Sequence, residues 1–127
     1  MTNDQIEQTI VDKGLTAPRI TPAMIEAAIS SEHYFTAYQG ASHLSAASNV
    51  QTPKPPESLK LLTICVLVLT NGFTVTGESA CASPANFDAE LGRTIARLKA
   101  TEKIWPLEGY RLKQWLSVGA SVFTAAP

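Results

Sequence analysis

The sequence predicts a small single-domain α+β protein, in which an antiparallel β-hairpin or small sheet packs with three to four short-to-medium helices. A chain of 127 residues suits one hydrophobic core, so residues 1–127 are expected to form one domain. Apolar residues make up 45% and charged residues 17%, a balance typical of globular proteins. Asn71-Gly72 separates two β-rich runs, and helix-start signals occur on both sides of that pair.

Two short helices are expected before residue 31. Thr2 can cap the first, with Gln5 in the position that completes a capping box, and Gly14 ends it. The second starts at Thr21-Pro22, a cap followed by the residue favoured at the first helical position, and runs to about residue 30. Its apolar stripe consists of Ile25, Ala28 and Ile29.

The next segment changes character twice. His33-Tyr34-Phe35 brings three ring-bearing side chains together, and such clusters usually anchor a core. From residue 40 to 58 the composition shifts to Ser, Ala, Gln and Pro, and Pro53-Lys54-Pro55-Pro56 suits no regular helix or central strand. We therefore expect a mobile surface loop at 40–58, and a loop of this length is more often functional or disordered than neutral.

The strongest local signal is the hairpin of residues 61–79. Asn71-Gly72 between β-rich runs predicts a two-residue type I′ turn. This turn would pair Val68 with Val75 on an apolar face and would leave Leu67 and Leu69 on a face that also carries Thr74, Thr76 and Glu78. Leu67 and Leu69 would then need cover from the Tyr34 region or from another subunit, which favours a homo-oligomer.

Two further helices are expected after the hairpin. Ser83-Pro84 opens the third, on which Arg93 and Arg97 lie four residues apart on one face. Trp105-Pro106 then interrupts the pattern, a last short helix covers 107–116, and a frayed tail is expected at 117–127. The predicted buried stripe of the third helix consists of Phe87, Leu91, Ile95 and Leu98.

Several classes of protein are disfavoured by composition. A formal charge of −1 provides no overall field that would attract nucleic acid or an anionic membrane. The N-terminus lacks the basic start and apolar run of a secretory signal, and Cys65 and Cys81 are too few for a disulfide scaffold or four-ligand zinc site. His33 and His43 lack the spacing of a metal site, so we expect no metal and no cofactor. The missing secretory signal and the small number of cysteines lead us to expect an intracellular protein.

Four blocks of the sequence are similar to one known family: His33-Tyr34-Phe35-Thr36-Ala37, residues 71–80, Asn86-Phe87 and residues 103–110. They resemble the gene-product-49 / gene-product-66 family of tailed-phage proteins, and the likeness covers most of residues 1–110. The resemblance implies a bacteriophage or prophage accessory protein that acts in the cytoplasm of its bacterial host. It implies no biochemical activity.

Charged and aromatic side chains are the main candidates for ligand contacts. Glu78 on the mixed hairpin face would need water, an arginine or a ligand, because an unpartnered buried carboxylate is costly. It could accept hydrogen bonds from a ligand while an arginine binds a phosphate, or it could simply be exposed or paired with Arg93 or Arg97. The aromatic candidates could stack on a ligand or serve as core. The candidate ligand-binding residues are His33, Tyr34, Thr74, Thr76, Glu78, Arg93, Arg97 and Trp105.

The sequence carries no catalytic motif, so binding is favoured over catalysis. The leading hypothesis is a non-enzymatic phage protein that assembles as a homo-oligomer and sequesters a small ligand. A nucleotide-type immune signal of the host is one such ligand, and its capture would be an anti-defence function. The main alternative is an inhibitor or adaptor that binds a host enzyme through the apolar hairpin face. A third hypothesis is a small hydrolase or nucleotide-modifying enzyme that uses Glu78 as its base.

Overall fold

The α+β class is confirmed by the structure, a computed structural model that describes residues 1–47 and 54–119. Short 3-10 turns at Glu57–Leu61 and Pro84–Asn86 precede β2 and α4. The helices and strands, in chain order, are α1 (Asn3–Asp12), α2 (Pro22–Ala27), β1 (Ile29–Thr36), α3 (Ala37–Ala47), β2 (Leu62–Leu69), β3 (Thr74–Ala80), α4 (Ala89–Glu102) and α5 (Ile104–Ser117).

The three strands form one antiparallel sheet in the order β1-β2-β3. Side chains of the central strand alternate between the two faces of the sheet, as the twofold period of a strand requires. Cys65 and Leu67 lie on the helix face, which packs against α4, and both are fully buried. Ile64, Val66 and Val68 lie on the opposite, open face and are only partly buried. The helix face is therefore covered by α4, whereas on the open face Gly40 of α3 lies against the Phe35 ring.

The helix α4 approaches the sheet through small residues, which corrects the predicted stripe. Its buried positions are Gly92, Ala96 and Ala100, whereas Leu91 and Leu98 are 55% and 59% exposed. The physical reason lies opposite, in β3. A Cβ added to Gly77 would collide with the carbonyl oxygen of Ala96 and the backbone nitrogen of Ala100. At that distance no leucine fits beneath the helix. The other two predicted stripe residues, Phe87 and Ile95, are partly buried.

The hairpin turn is one residue longer than predicted. The Leu69 N–H donates to the Phe73 carbonyl and the Gly72 N–H donates to the Leu69 carbonyl, each at 2.8 Å. These bonds close a three-residue loop with Gly72 at φ +88°, the common alternative to a two-residue turn. The pairing becomes Leu67 with Val75, so the predicted register was wrong by one residue. Leu67 and Leu69 consequently face the core and need no cover from another subunit.

The helix starts at Thr2 and Thr21 are confirmed, including the complete capping box of Thr2. The segment after α2 was not recognised as a strand. The helix stops at Ala27, and the Ala28 carbonyl instead accepts a hydrogen bond from the Thr70 N–H at 2.9 Å. The chain then continues as β1, which pairs with β2 and leaves the His33 and Phe35 side chains exposed rather than in the core.

Part of the predicted mobile loop at 40–58 is helical. α3 extends to Ala47, and its start is fixed by a reciprocal pair of hydrogen bonds between Thr36 and Gln39. The remainder of that prediction falls partly on residues 48–53, outside the described residues. α5 begins at Ile104, not at residue 107 as predicted. The helix accommodates Pro106 because this residue lies in the first turn, where no backbone donor is needed. The predicted tail is helical at Ser117, and its residues 120–127 also lie outside the described part.

Candidate functional site

Two adjoining grooves lie between the edge of β1 and α4, and both are lined by Tyr34 and Arg93. The smaller, with a volume of about 260 Å³, is called the aromatic groove; the larger, of about 460 Å³, is the wide groove. The aromatic groove is completed by Phe35, Thr36, Gln39, Thr63, Phe87 and Ala89. The wide groove is completed by Asn3, Glu26, Glu90, Thr94, Arg97, Leu98 and Thr101.

Arg97 is held by two carboxylates in the wall of the wide groove. Its Nε donates to Glu32 at 2.9 Å, and its Nη1 and Nη2 donate to the two oxygens of Glu26 at 3.2 and 2.8 Å. These hydrogen bonds lower the pKa of both carboxyl groups, so both remain ionised near neutral pH. The cluster of one cation and two anions is net negative. It joins α2, β1 and α4, and it leaves Arg97 poorly suited to bind a phosphate.

Tyr34 connects this cluster to the aromatic groove. Its hydroxyl donates to Glu32 at 3.0 Å. Burial, reinforced by the neighbouring Glu32 carboxylate, raises the pKa of Tyr34 to about 12. The hydroxyl therefore stays protonated at physiological pH and remains a hydrogen-bond donor. Because its oxygen is fixed at Glu32, the ring is held between the two grooves, where one of its sides can pack against a ligand.

Arg93 differs from Arg97 although it lies one helical turn away. Within residues 1–47 and 54–119 its guanidinium has no hydrogen bond or ion pair, and its side chain is exposed. It is the sole charged residue among those that line the aromatic groove. The aromatic residues Tyr34 and Phe87 line the same groove, whereas the Phe35 side chain is directed to the open face of the sheet. A cationic fork beside aromatic faces is an arrangement that suits a planar anion, which can pair with the arginine and stack on a ring.

The sheet divides the sequence-predicted site residues into separate groups. Tyr34, Arg93 and Arg97 lie together at the grooves on the helix side. Trp105 is on α5, partly buried against the hydrophobic core. His33 and the three hairpin residues Thr74, Thr76 and Glu78 lie on the open face instead. The structure therefore brings three of the eight predicted residues together at the grooves and places four on the opposite side of the sheet.

Glu78 is exposed, and its strand presents it away from α4. The alternative in which it pairs with Arg97 is not realised, because Glu26 and Glu32 occupy that guanidinium. Sequence reasoning missed both of these carboxylates. The signal for Glu32 was available: once 29–36 is recognised as a strand, the twofold period places Glu32 and Tyr34 on one face.

The groove residues Gln39 and Phe87 were also missed as site residues. The Gln39 side-chain oxygen accepts a hydrogen bond from the Thr36 N–H at 2.9 Å, and within the described chain its NH₂ group has no partner. Phe87 was predicted to be simple core, although it lines the aromatic groove together with Arg93. No local pattern in the sequence could have placed either residue there, because both depend on how α3 and α4 meet β1.

A family model described as "Phage protein (N4 Gp49/phage Sf6 gene 66) family" matches residues 20–116. The chain belongs to this family. The match extends from before α2 into α5 and includes every residue of both grooves except Asn3. No curated protein and no solved structure matches the chain. The family description specifies neither a ligand nor an activity, so the role of this phage protein has to be argued from its surfaces.

Two structural findings accompany this membership. Across the described ranges, no helix of this phage protein has the length and apolar character needed to span a membrane. In the same ranges, no three His, Cys, Asp or Glu side chains are grouped so that they could hold a metal ion.

Proposed function

We propose that this phage protein binds and sequesters a small planar anion of the nucleotide type in the aromatic groove. The observation that carries the proposal is Arg93, a cation without a hydrogen bond or ion pair among the described residues, at a groove that is also lined by Tyr34 and Phe87. A ligand that replaces solvent there gains a charge-assisted hydrogen bond and a stacking surface together. A nucleotide offers both groups, a phosphate and a base.

The groove residues take distinct parts in this proposal. Arg93 pairs with the phosphate, while Tyr34 and Phe87 provide faces for the base, and the free NH₂ group of Gln39 donates a hydrogen bond. Arg97 is a positioning residue rather than a ligand contact, because it fixes Glu32, which in turn fixes the Tyr34 hydroxyl. The net negative charge around Arg97 disfavours phosphate at the Arg97 end of the wide groove and leaves Arg93, which lines both grooves, as the cation that a phosphate would meet.

Sequestration, rather than catalysis, agrees with the chemistry of this groove. None of the described residues that line it is a histidine, cysteine, aspartate or glutamate, the usual general bases and nucleophiles. Glu78, the base in the enzymatic hypothesis, is on the other face of the sheet and cannot serve this groove. In the host bacterial cytoplasm, such binding would withhold a nucleotide-type immune signal from its receptor, which is an anti-defence role.

A nucleotide-binding titration tests the proposal. Calorimetry with cyclic dinucleotides, cyclic ADP-ribose isomers and mononucleotides should identify at least one ligand for the full-length parent. Arg93→Ala should weaken its affinity roughly ten- to a hundredfold, the effect of losing about 1.5–3 kcal/mol from a charged hydrogen bond. Lys99→Ala is the matched control, since it removes one positive charge from α4 outside both grooves.

Mass analysis of the ligand released by heat separates sequestration from catalysis. The proposal expects the ligand to be returned intact, whereas an altered product would identify an enzyme. If no compound in the panel binds, or if Arg93→Ala binds as tightly as the parent, the aromatic groove is not a nucleotide site.

A second candidate function, an inhibitor or adaptor that binds a host enzyme, is favoured by the partly exposed apolar side chains of the open face. It predicts that the Arg93→Ala variant still binds the host enzyme and that the Val66→Glu variant does not. The nucleotide proposal predicts the opposite dependence for its ligand, because Val66 lies on the other face of the sheet from Arg93.

A further inference from the structure

The two grooves meet at Tyr34 and Arg93, the two residues that line both of them. The aromatic groove, at about 260 Å³, is smaller than the roughly 300–1,000 Å³ of sites that enclose a small molecule. A ligand as large as a nucleotide therefore extends past Arg93 into the wide groove, which adds about 460 Å³. The side chains of the wide groove consequently help to select the ligand.

Glu90 provides the wide groove with a carboxylate that no described side chain engages. Within residues 1–47 and 54–119 this carboxylate has no hydrogen bond or ion pair, and the side chain is exposed. Glu26 differs, because both of its oxygens accept hydrogen bonds from Arg97. Glu90 lies three residues before Arg93 on α4, so the two side chains are neighbours on one side of the helix.

The two threonines of the wide groove also present acceptors. The Thr94 hydroxyl donates to the Glu90 carbonyl at 3.1 Å, and the Thr101 hydroxyl donates to the Arg97 carbonyl at 2.8 Å. A hydroxyl has one proton to donate, so each of these oxygens is left as an acceptor. The wide groove thus presents mainly hydrogen-bond acceptors to the part of a ligand that lies there.

We propose that the ligand is a dinucleotide and that Glu90 binds a guanine as one of its two bases. This inference rests on the proposed function and makes its ligand specific. A phosphate pairs with Arg93 where the grooves meet, one base stacks in the aromatic groove, and the guanine lies in the wide groove. The carboxylate of Glu90 accepts hydrogen bonds from the guanine edge through its two oxygens.

Guanine is selected by the pattern of donors on its edge. Its N1–H and its N2 amino group are adjacent donors, which match the two oxygens of a carboxylate. Adenine and cytosine place an acceptor nitrogen beside their amino group, and uracil has a single N–H between two carbonyl groups. Each of these bases would therefore bring an acceptor towards the carboxylate, and a site built for two donors rejects a ligand that lacks one of them.

Calorimetry of the full chain with cyclic di-GMP, cyclic di-AMP and cyclic di-IMP tests the choice of base. The three compounds carry the same phosphates, so their affinities differ only through the bases. We expect cyclic di-GMP to bind roughly ten- to a hundredfold more tightly than cyclic di-AMP. Cyclic di-IMP, whose bases keep N1–H but lack the N2 amino group, should lie between them. GMP, with one base, should bind more weakly than cyclic di-GMP by at least about tenfold.

Glu90→Gln tests the proposed contact, because it keeps the size of the side chain but removes the charge and one acceptor. The ratio of the affinities for cyclic di-GMP and cyclic di-AMP should fall to about one, and this ratio cancels any general effect of the lost charge on phosphate binding. Glu102→Gln is the matched control, since it removes one negative charge from α4 outside both grooves and should keep the parent's ratio. The melting temperature of each variant verifies that it is folded.

The outcomes separate this inference from the proposed function. If cyclic dinucleotides bind and Arg93→Ala weakens them, the proposed function stands. The guanine site is nevertheless wrong if cyclic di-AMP binds as tightly as cyclic di-GMP, if Glu90→Gln keeps the parent's ratio, or if GMP binds as tightly as cyclic di-GMP. If none of the four compounds binds the parent, the guanine site is also wrong. If Arg93→Ala weakens the binding of no nucleotide, both proposals are wrong.

Discussion

Gly77→Ala should destabilise the fold by an amount that a single methyl group rarely causes. The new Cβ would point into the backbone of α4, at the carbonyl oxygen of Ala96 and the nitrogen of Ala100. No side-chain rotation can relieve this contact, because strand and helix backbones meet directly. The helix must therefore move away from the sheet by about 1 Å, which forfeits a quarter to a half of the dispersion energy of each separated contact.

The magnitude follows from the site. Overpacking typically costs about 1–3 kcal/mol, and a backbone collision belongs at or above the upper end, so we expect a loss of about 3 kcal/mol in the free energy of unfolding. A domain of this size has about 5–15 kcal/mol in total, and its melting temperature should fall by roughly 10 °C. Gly77 has no positive φ, so backbone strain adds nothing to this cost.

The matched control is Gly109→Ala in α5. A Cβ at Gly109 meets no atom within 4 Å, and replacing a glycine inside a helix with alanine should stabilise the protein by about 0.5–1 kcal/mol. Urea unfolding followed by circular dichroism would measure both variants against the parent. If Gly77→Ala unfolded at the parent's midpoint, the close approach of α4 to β3 would be refuted.

Two further predictions concern charge and thiol chemistry. Arg97→Gln should lower the free energy of unfolding by up to about 1 kcal/mol at neutral pH, because its ion pairs are partly exposed and screened. Arg97 lowers the pKa of Glu26 and Glu32 below the ordinary 4.5. The difference in unfolding free energy between the parent and the variant should therefore be complete above that pH and should shrink as the pH falls through the lowered pKa values. A difference that stayed constant in acid would contradict the ion pairs. Burial raises the pKa of Cys65, so native protein should show one Ellman-reactive thiol, that of Cys81, and two fast-reacting thiols would contradict the fold.

The elements that the sequence predicted well are those defined by local chemistry. The caps at Thr2 and Thr21 satisfy backbone donors within three residues, so their effect does not depend on tertiary structure. The hairpin turn was ambiguous by one residue, because Asn71-Gly72 suits both a two-residue turn and the three-residue loop that forms. That one residue decided which side chains face the core, since a strand exposes alternate residues to opposite faces.

The parts that were not predicted depend on contacts between distant segments. Leu91 and Leu98 have the spacing of a core stripe, but the close fit of α4 on Gly77 excludes large side chains. The ion pairs of Arg97 join residues 65 and 71 positions apart. Tyr34 was among the candidate residues, but its position at the groove follows from β1 pairing with β2, which no local motif in 29–36 indicated.

The unequal connections between the strands have a consequence for the order of folding. Pairing β2 with β3 closes a loop of only a few residues, whereas pairing β1 with β2 must close the segment from 37 to 61. That loop is roughly eight times longer, which adds about 2 kcal/mol of closure entropy at about 0.6 kcal/mol per doubling. We therefore expect the hairpin to form early and β1 to join it late. Because β1 forms one wall of each groove and α4 the other, the grooves are completed only when β1 docks, and a partly folded chain has no site in which to hold a ligand.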